Sequence, residues 1–191
     1  MKVSLLLSKP EGAEFVKCIE DAERLLNCIG ILICKDQFDI GSLAIRKLKN
    51  GQAVTNWHEN VKLWPSFFSG IEVISNRTTP CHRDTGSAPP DYDFLVSAGN
   101  HTEAWFHLPD LMAKLEYKPG TVTAITGKVL RHAVYDWKGG ERICIAHFTR
   151  DLIHDRLNLP RPNWVQIHKY LDMMEEGFVR RQNWLIAIEE F

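Results

Sequence analysis

Three side chains in the middle of the 191-residue chain are of the types that bind a divalent metal: His82, Asp84 and His132. His82 and Asp84 are separated by one residue, so on a strand both would point to one side while Arg83 points away. His132 lies on a later β-rich segment. Two imidazoles and one carboxylate on one face of a metal leave other positions open, as in non-haem Fe(II) oxygenases. The pattern predicts that these three residues form a catalytic metal site.

An arginine in an apolar strand is the second indication of chemistry. Arg142 precedes the apolar run Ile143–Ala146, and a guanidinium there needs an anionic partner. A turn at 138–140 predicts that the strand carrying Arg142 lies beside the strand carrying His132. A dicarboxylate ligand held by the fork of N–H donors is one candidate partner. An internal salt bridge to an aspartate or glutamate is the alternative. An H-x-D pair alone is common, so the combination with Arg142 favours an enzyme.

The elements that must position these residues fall into three segments. Helical periodicity covers Glu11–Ile29, with Gly30 predicted to end that helix, and recurs over Ile40–Leu48 and Ala53–Leu63. Short strands with Pro/Gly turns follow from residue 67 and predict a sandwich or barrel. These strands are Ile71–Ser75, Tyr92–Val96, Ala104–Leu108, Leu115–Tyr117, Thr121–Thr126, Val129–Tyr135 and Arg142–Thr149.

Helical spacing returns near the C-terminus, where Trp164, Ile167, Leu171 and Met174 step by three and four residues. We therefore expect one domain over residues 1–191. Residues 1–64 form a mainly helical N-terminal support, 65–157 a β-rich catalytic core, and 158–191 the C-terminal helices. The predicted fold class is α+β.

Composition excludes several classes of protein. Hydrophobic residues make up 45% of the chain, charged residues 25%, and the formal net charge is -1, so total charge does not indicate a nucleic-acid partner. The five cysteines are odd in number and lack C-x-x-C spacing, which argues against a disulfide framework and a zinc ribbon. No apolar run could span a bilayer, and Val3–Leu7 is interpreted as a strand rather than part of a secretory signal. We expect a nuclear or cytoplasmic protein that is not secreted.

Three segments, taken together, are specific for one family: GIEVISNRTTPCHRD, YKPGTVTAITGKVLRHAV and GGERICIAHFTRDLIHDRL. They resemble the fungal branch of the TET/JBP nucleic-acid-modifying dioxygenases, over about Trp64–Leu157. The resemblance implies a double-stranded β-helix (jelly-roll) core that uses Fe(II), 2-oxoglutarate and O2. It also implies methylated DNA as partner. The implied reaction is oxidation of 5-methylcytosine to 5-hydroxymethylcytosine and further, with some relatives acting on N6-methyladenine.

The resemblance assigns roles to individual residues. His82, Asp84 and His132 match the metal ligands, and Arg142 matches the residue that holds the distal carboxylate of 2-oxoglutarate. Arg77 matches an arginine between the co-substrate and the target base.

Four further residues are predicted to contact the substrate. Phe148 matches an aromatic that stacks on an extruded base, although core packing on an apolar strand is an equal alternative. Ser87 stands where some relatives have an acidic base contact, and Arg150 where some have histidine. Asn76 could bind a base edge, orient Arg77 or close a turn, and the turn is favoured.

Two other functions fit the same residues. The oxygenase chemistry could act on RNA or on a small molecule instead of DNA. A non-catalytic β-helix domain that binds nucleic acid is the third hypothesis, and the retention of the metal triad and Arg142 argues against it.

Overall fold

Three consecutive helices precede a β-rich core in this computed structural model, which describes residues 4–168, 171–172 and 175. The helices are α1 Pro10–Cys18, α2 Glu20–Ile33, α3 Lys35–Lys49 and, after the strands, α4 Leu152–Leu157. The strands are β1 Gly70–Ser75, β2 Thr79–His82, β3 Asp93–Gly99, β4 Glu103–Leu108, β5 Ala113–Glu116, β6 Val122–Ile125, β7 His132–Val134, β8 Trp137–Lys138 and β9 Arg142–Phe148.

The strands form two antiparallel sheets. Sheet I has the order β1-β9-β3-β6, and sheet II has the order β2-β7-β4-β5 with β8 paired to β4. Apolar side chains from both sheets meet in one core between them, which confirms the predicted α+β fold with a jelly-roll core. The buried members of this core are Leu95, Ala104, Phe106, Leu108, Tyr117, Ile125, Val134 and Cys144.

The N-terminal helices cover the outer face of sheet I. Leu26 of α2 packs with Phe67, Phe68 and Phe94 in a second buried cluster. Gly30 lies inside α2 rather than at its end, so the predicted helix end is wrong. A Cβ atom at Gly30 would lie 2.7 Å from the ring of Phe67, so glycine here serves close packing rather than capping.

A buried hydrogen-bonded pair, His147 and Glu23, joins α2 to β9. His147 Nε2 lies 2.6 Å from Glu23 Oε1, and the two side chains are 1% and 2% exposed. His147 points to the helix side of sheet I because it alternates with Phe148, which borders the interior. The sequence patterns did not predict this role for Glu23, which lies 124 residues before His147. The pair fixes the helical layer against the strand that carries Arg142.

Two predicted N-terminal elements are wrong. Residues 5–8 form a turn where a strand was predicted over Val3–Leu7. The helix predicted over Ala53–Leu63 reduces to a 3₁₀ helix at Glu59–Leu63. Ala53 and Asn56 have positive φ angles of 55° and 58°, which a right-handed helix cannot contain.

The C-terminal prediction falls largely outside the described residues. Residues 158–166 are not helical, and most of the remainder of 158–191 is not described. Among the residues that the structure describes, no helix is long and apolar enough to cross a membrane.

Candidate active site

The three predicted metal ligands converge at one end of the interior. His82 Nε2 lies 3.4 Å from Asp84 Oδ1, and His132 Nε2 lies 3.5 Å from Asp84 Oδ2. One ligand atom from each residue can be chosen so that all three lie within 4.8 Å of one another. Nitrogen and oxygen donors at this spacing can bind one divalent ion between them.

Both imidazoles are oriented by the backbone of sheet II. His82 and His132 are direct partners in the β2–β7 register. Nδ1 of His82 donates to the Pro80 carbonyl at 2.9 Å, and Nδ1 of His132 donates to the Leu130 carbonyl at 3.2 Å. These bonds leave each Nε2 free to bind a metal. Burial lowers the pKa of His132, which favours the neutral imidazole that metal binding requires.

Asp84 lies just beyond the end of β2 and is held by a neighbouring loop. Its backbone N–H donates to the carbonyl oxygen of Gly127 at 2.9 Å. A side chain at Gly127 would collide with the carboxylates of Asp84 and Asp93, so this position needs glycine. Arg83 points away, as predicted, and donates from Nε to the Val129 carbonyl at 2.7 Å.

Arg142 is a fully buried cation. Its side chain is 1% exposed, and Nη1 donates to the backbone carbonyl of Arg77 at 3.1 Å. Its Nε has no hydrogen-bond partner among the described residues, and the guanidinium lies 5.6 Å from the centre of the Tyr117 ring. No carboxylate in the described part of the chain pairs with it. The internal salt bridge considered from the sequence is therefore absent there, and a bound anion would supply the missing charge.

The path from His132 to Arg142 differs from the prediction. The strand carrying His132 belongs to sheet II, and the strand carrying Arg142 belongs to sheet I. The predicted hairpin is wrong because β8, between them, pairs with β4. Arg142 therefore faces the metal triad across the interior rather than beside it. Both border one cavity of about 230 Å³.

Other predicted residues lie around the same cavity. Arg77, Ser87, Phe148 and Arg150 line it, and the Arg150 guanidinium lies 4.6 Å from the centre of the Phe148 ring. The side chain of Asn76 instead accepts a hydrogen bond from the backbone N–H of Arg142. The structure thus brings four of the five predicted substrate-side residues to the cavity wall.

Asp93 is a cavity residue that sequence reasoning missed. It is 2% exposed, and its Oδ1 accepts from Ser87 Oγ at 2.7 Å. Its Oδ2 has no hydrogen-bond partner in the part of the chain that the structure describes. Burial raises the pKa of Asp93 to about 7, with nearby Asp84 contributing. The available signal was a charged residue at the start of an apolar strand, which is the same signal that identified Arg142.

Replacing Asp93 with asparagine is expected to stabilise the metal-free protein in a pH-dependent way. The folded pKa of Asp93, about 7, lies above the unfolded value of 3.8, so the parent loses stability as the pH rises between these two values. The asparagine side chain carries no charge and does not undergo this loss. The gain in free energy of unfolding should grow from near zero at about pH 4 to a few kcal/mol above about pH 7.

Urea unfolding at pH 5 and pH 8 with a chelator present measures this difference. The exposed-site variant Asp136→Asn is the control and should show no such trend. A stability difference between Asp93→Asn and the parent that is the same at both pH values would contradict the prediction.

The residues of the site fit the chemistry of an oxygenase. Two imidazoles and a carboxylate suit Fe(II) and leave open positions, and the unpaired Arg142 suits one end of a dicarboxylate. The jelly-roll fold and this site together define a non-haem Fe(II)- and 2-oxoglutarate-dependent dioxygenase, which uses O2 as its second substrate.

Comparison with known proteins agrees with this class. The model of the Tet_JBP family, described as the oxygenase domain of the 2OGFeDO superfamily, matches residues 14–151. The chain belongs to this family, which confirms the resemblance drawn from its motifs.

Solved structures and curated sequences were compared as well. The structure of NgTET1 in complex with 5mC DNA is similar, with a TM-score of 0.59 and 18% identity over 92% of this chain. The match covers 63% of NgTET1, so the chain spans somewhat less than two thirds of that protein. An RmlC-like cupin protein from Desulfovibrio desulfuricans matches 40% of this chain and 71% of its own, with 15% identity and a TM-score of 0.29. A search of curated protein sequences finds no match.

Proposed function

We propose that this dioxygenase oxidises a methyl group on a DNA base, converting 5-methylcytosine to 5-hydroxymethylcytosine and further oxidised products. Removal of the methyl group of N6-methyladenine is a second reaction of the same type. The observation that carries the proposal is the aromatic ring of Phe148, which borders the same cavity as the metal triad and Arg142. The similarity to a protein solved with 5mC DNA supports it.

Different residues at the two ends of the cavity would bind the metal and the co-substrate. His82, Asp84 and His132 would hold Fe(II), which when bound activates O2 as 2-oxoglutarate is oxidised to succinate and CO2. Arg142 would hold the distal carboxylate through charge-assisted hydrogen bonds. Phe106 stacks on His132 at 5.7 Å and 17°, and so keeps that imidazole aligned while excluding water from its buried side.

The substrate side of the cavity has features that suit a flipped base. A methylated base inside a duplex cannot reach a recessed metal. The base must therefore flip out of the helix, and stacking and hydrogen bonds must hold it in the cavity. Phe148 offers a ring, and the Arg150 guanidinium lies over that ring. Ser87 and Asp93 add polar groups to the same wall, and Arg77 lies on the side of Arg142. We propose that these residues contact the base. Asn76 acts indirectly, through its hydrogen bond to the backbone of Arg142.

Matched oligonucleotides test the proposed substrate. Duplexes containing 5-methylcytosine, N6-methyladenine or no methyl group are incubated with protein, Fe(II) and 2-oxoglutarate, and the nucleosides are analysed by mass spectrometry. The proposal expects an oxidised base from a methylated duplex and none when Asp84 is replaced by alanine. Succinate release stimulated only by RNA or by metabolites would select the alternative substrates. Absence of turnover in metal-loaded protein would select a non-catalytic binding domain.

Replacing Phe148 with leucine tests the stacking role. Leucine keeps an apolar side chain but removes the ring, so kcat/KM for the methylated duplex should fall about tenfold or more, because stacking of a base on an aromatic contributes about 1–3 kcal/mol. The affinity for 2-oxoglutarate should stay within about twofold of the parent, because Arg142 is untouched.

The control for this variant is Tyr135→Leu, which removes an exposed ring outside the cavity. If Phe148→Leu turns over the duplex as well as Tyr135→Leu does, Phe148 is only a packing residue. The single-domain organisation of residues 1–191 and a nuclear or cytoplasmic location stay predictions.

A further inference from the structure

Asn76 is bonded to Arg142 through both its backbone and its side chain. The backbone N–H of Asn76 donates to the Arg142 carbonyl at 2.8 Å. In return, the backbone N–H of Arg142 donates to Asn76 Oδ1 at 2.9 Å. The next residue, Arg77, accepts from the Arg142 guanidinium through its backbone carbonyl. Three hydrogen bonds from two consecutive residues therefore hold Arg142 at its main chain and at its side chain.

The backbone conformation of Asn76 explains why its side chain is needed. The β1–β9 ladder ends at the pair Ser75–Ile143, and Asn76 then adopts a left-handed conformation with φ of 49°. This turn directs the chain out of sheet I toward β2, which ends at the metal ligand His82. The side-chain oxygen takes the place of the main-chain acceptor that the turn removes. The ladder is thereby extended by one residue, and that residue pairs with Arg142.

We propose that Asn76 is a positioning residue for 2-oxoglutarate: its side chain fixes the backbone of Arg142 so that the guanidinium meets the distal carboxylate. This role rests on the part of the proposed function that assigns Arg142 to that carboxylate. This role is additional to the roles that the family resemblance implies. Asn76 acts through the backbone of Arg142 and needs no contact with a base. Asparagine suits the position because it tolerates the left-handed region and carries an acceptor on a short side chain.

Three substitutions of Asn76 separate the effect of the side-chain acceptor from that of the backbone conformation. Asn76→Gly keeps the left-handed turn but removes the acceptor, while Asn76→Asp keeps both. Asn76→Ala also removes the acceptor, but it places a Cβ-bearing residue without a polar side chain in the left-handed region. Thr78→Ala, two residues further on and exposed, is the control. The measurements are calorimetric affinities for Mn(II) and then for 2-oxoglutarate, together with the rise in unfolding temperature that 2-oxoglutarate produces.

The expected result is selective for the co-substrate. Asn76→Gly and Asn76→Ala should bind 2-oxoglutarate about tenfold more weakly, because the backbone N–H of Arg142 loses its acceptor. Asn76→Asp and Thr78→Ala should stay within about threefold of the parent, and Mn(II) affinity should be unchanged in all variants. If Asn76→Gly does not fold, Asn76→Ala against Asn76→Asp makes the same comparison.

Two results would overturn the inference while leaving the proposed function intact. One is parental 2-oxoglutarate affinity in both variants that lack the acceptor. The other is an equal loss of Mn(II) and 2-oxoglutarate affinity, which would show a general loosening of the site. A parent protein that does not bind 2-oxoglutarate at all would instead overturn the proposed function, and this role with it.

Discussion

Replacing Arg142 with glutamine is expected to weaken 2-oxoglutarate binding by about a hundredfold or more, because each charge-assisted hydrogen bond contributes about 1.5–3 kcal/mol. The same change should leave the unfolding temperature of the ligand-free protein equal to that of the parent or above it. The parent buries a cation that has no anionic partner among the described residues, and such a charge is costly to bury. The measurements are the Kd for 2-oxoglutarate in the presence of Mn(II) and a thermal unfolding curve without ligand.

The matched variant Arg142→Lys keeps the charge and loses the planar fork of donors. Its affinity should lie between those of the parent and Arg142→Gln, because lysine does not reproduce bidentate geometry. A large loss of stability in Arg142→Gln with unchanged 2-oxoglutarate affinity would show that Arg142 has only a structural role.

Replacing Asp84 with alanine should abolish turnover and weaken divalent-metal binding by more than about a hundredfold, since even outer partners of metal ligands contribute about 10–100-fold. Asp84 supplies the only carboxylate of the triad, and its two oxygens face both imidazoles. Without it, two neutral imidazoles would have to hold the ion alone. Mn(II) titration calorimetry and the assay of methylated duplexes measure the two effects.

The control for this change is Asp136→Ala, an exposed carboxylate outside the cavity. It should retain metal affinity and turnover. An Asp84→Ala protein that binds Mn(II) and turns over duplexes as the control does would remove the triad from the mechanism.

The metal triad could be predicted from spacing because two of its members are nearly adjacent. His82 ends a strand and Asp84 lies two residues on, so local geometry alone brings them together. His132 required a motif, because sequence separation does not say which strands pair. Here β2 and β7 pair with His82 opposite His132, a register that the turn residues between them do not specify.

The position of Arg142 shows where local reasoning fails. An arginine in an apolar strand indicated a bound anion, and the structure shows that guanidinium buried, with no carboxylate partner among the described residues. The turn near Gly139 and Gly140 indicated that the chain reverses, and both have positive φ angles. A turn does not identify the strand that the returning segment joins, and the returning strand enters the opposite sheet.

The sequence patterns did not predict the partners of two buried acidic residues, Glu23 and Asp93. Glu23 lies on a helix whose apolar spacing predicts a buried face, but its partner His147 is on a distant strand. Asp93 opens a strand and bonds to Ser87 across a loop. Periodicity predicts which face is buried and does not predict which polar groups meet there. Such pairs depend on tertiary packing, which apolar spacing along the chain does not specify.

The most direct test of the account is the order of binding in one calorimetric experiment on the parent protein. We expect one Mn(II) per chain, then one 2-oxoglutarate whose affinity requires the metal, with the metal step lost in Asp84→Ala and the co-substrate step lost in Arg142→Gln. Binding of 2-oxoglutarate that is equally tight without metal, or that survives in Arg142→Gln, would contradict a shared cavity in which the triad and Arg142 act on the same ligand.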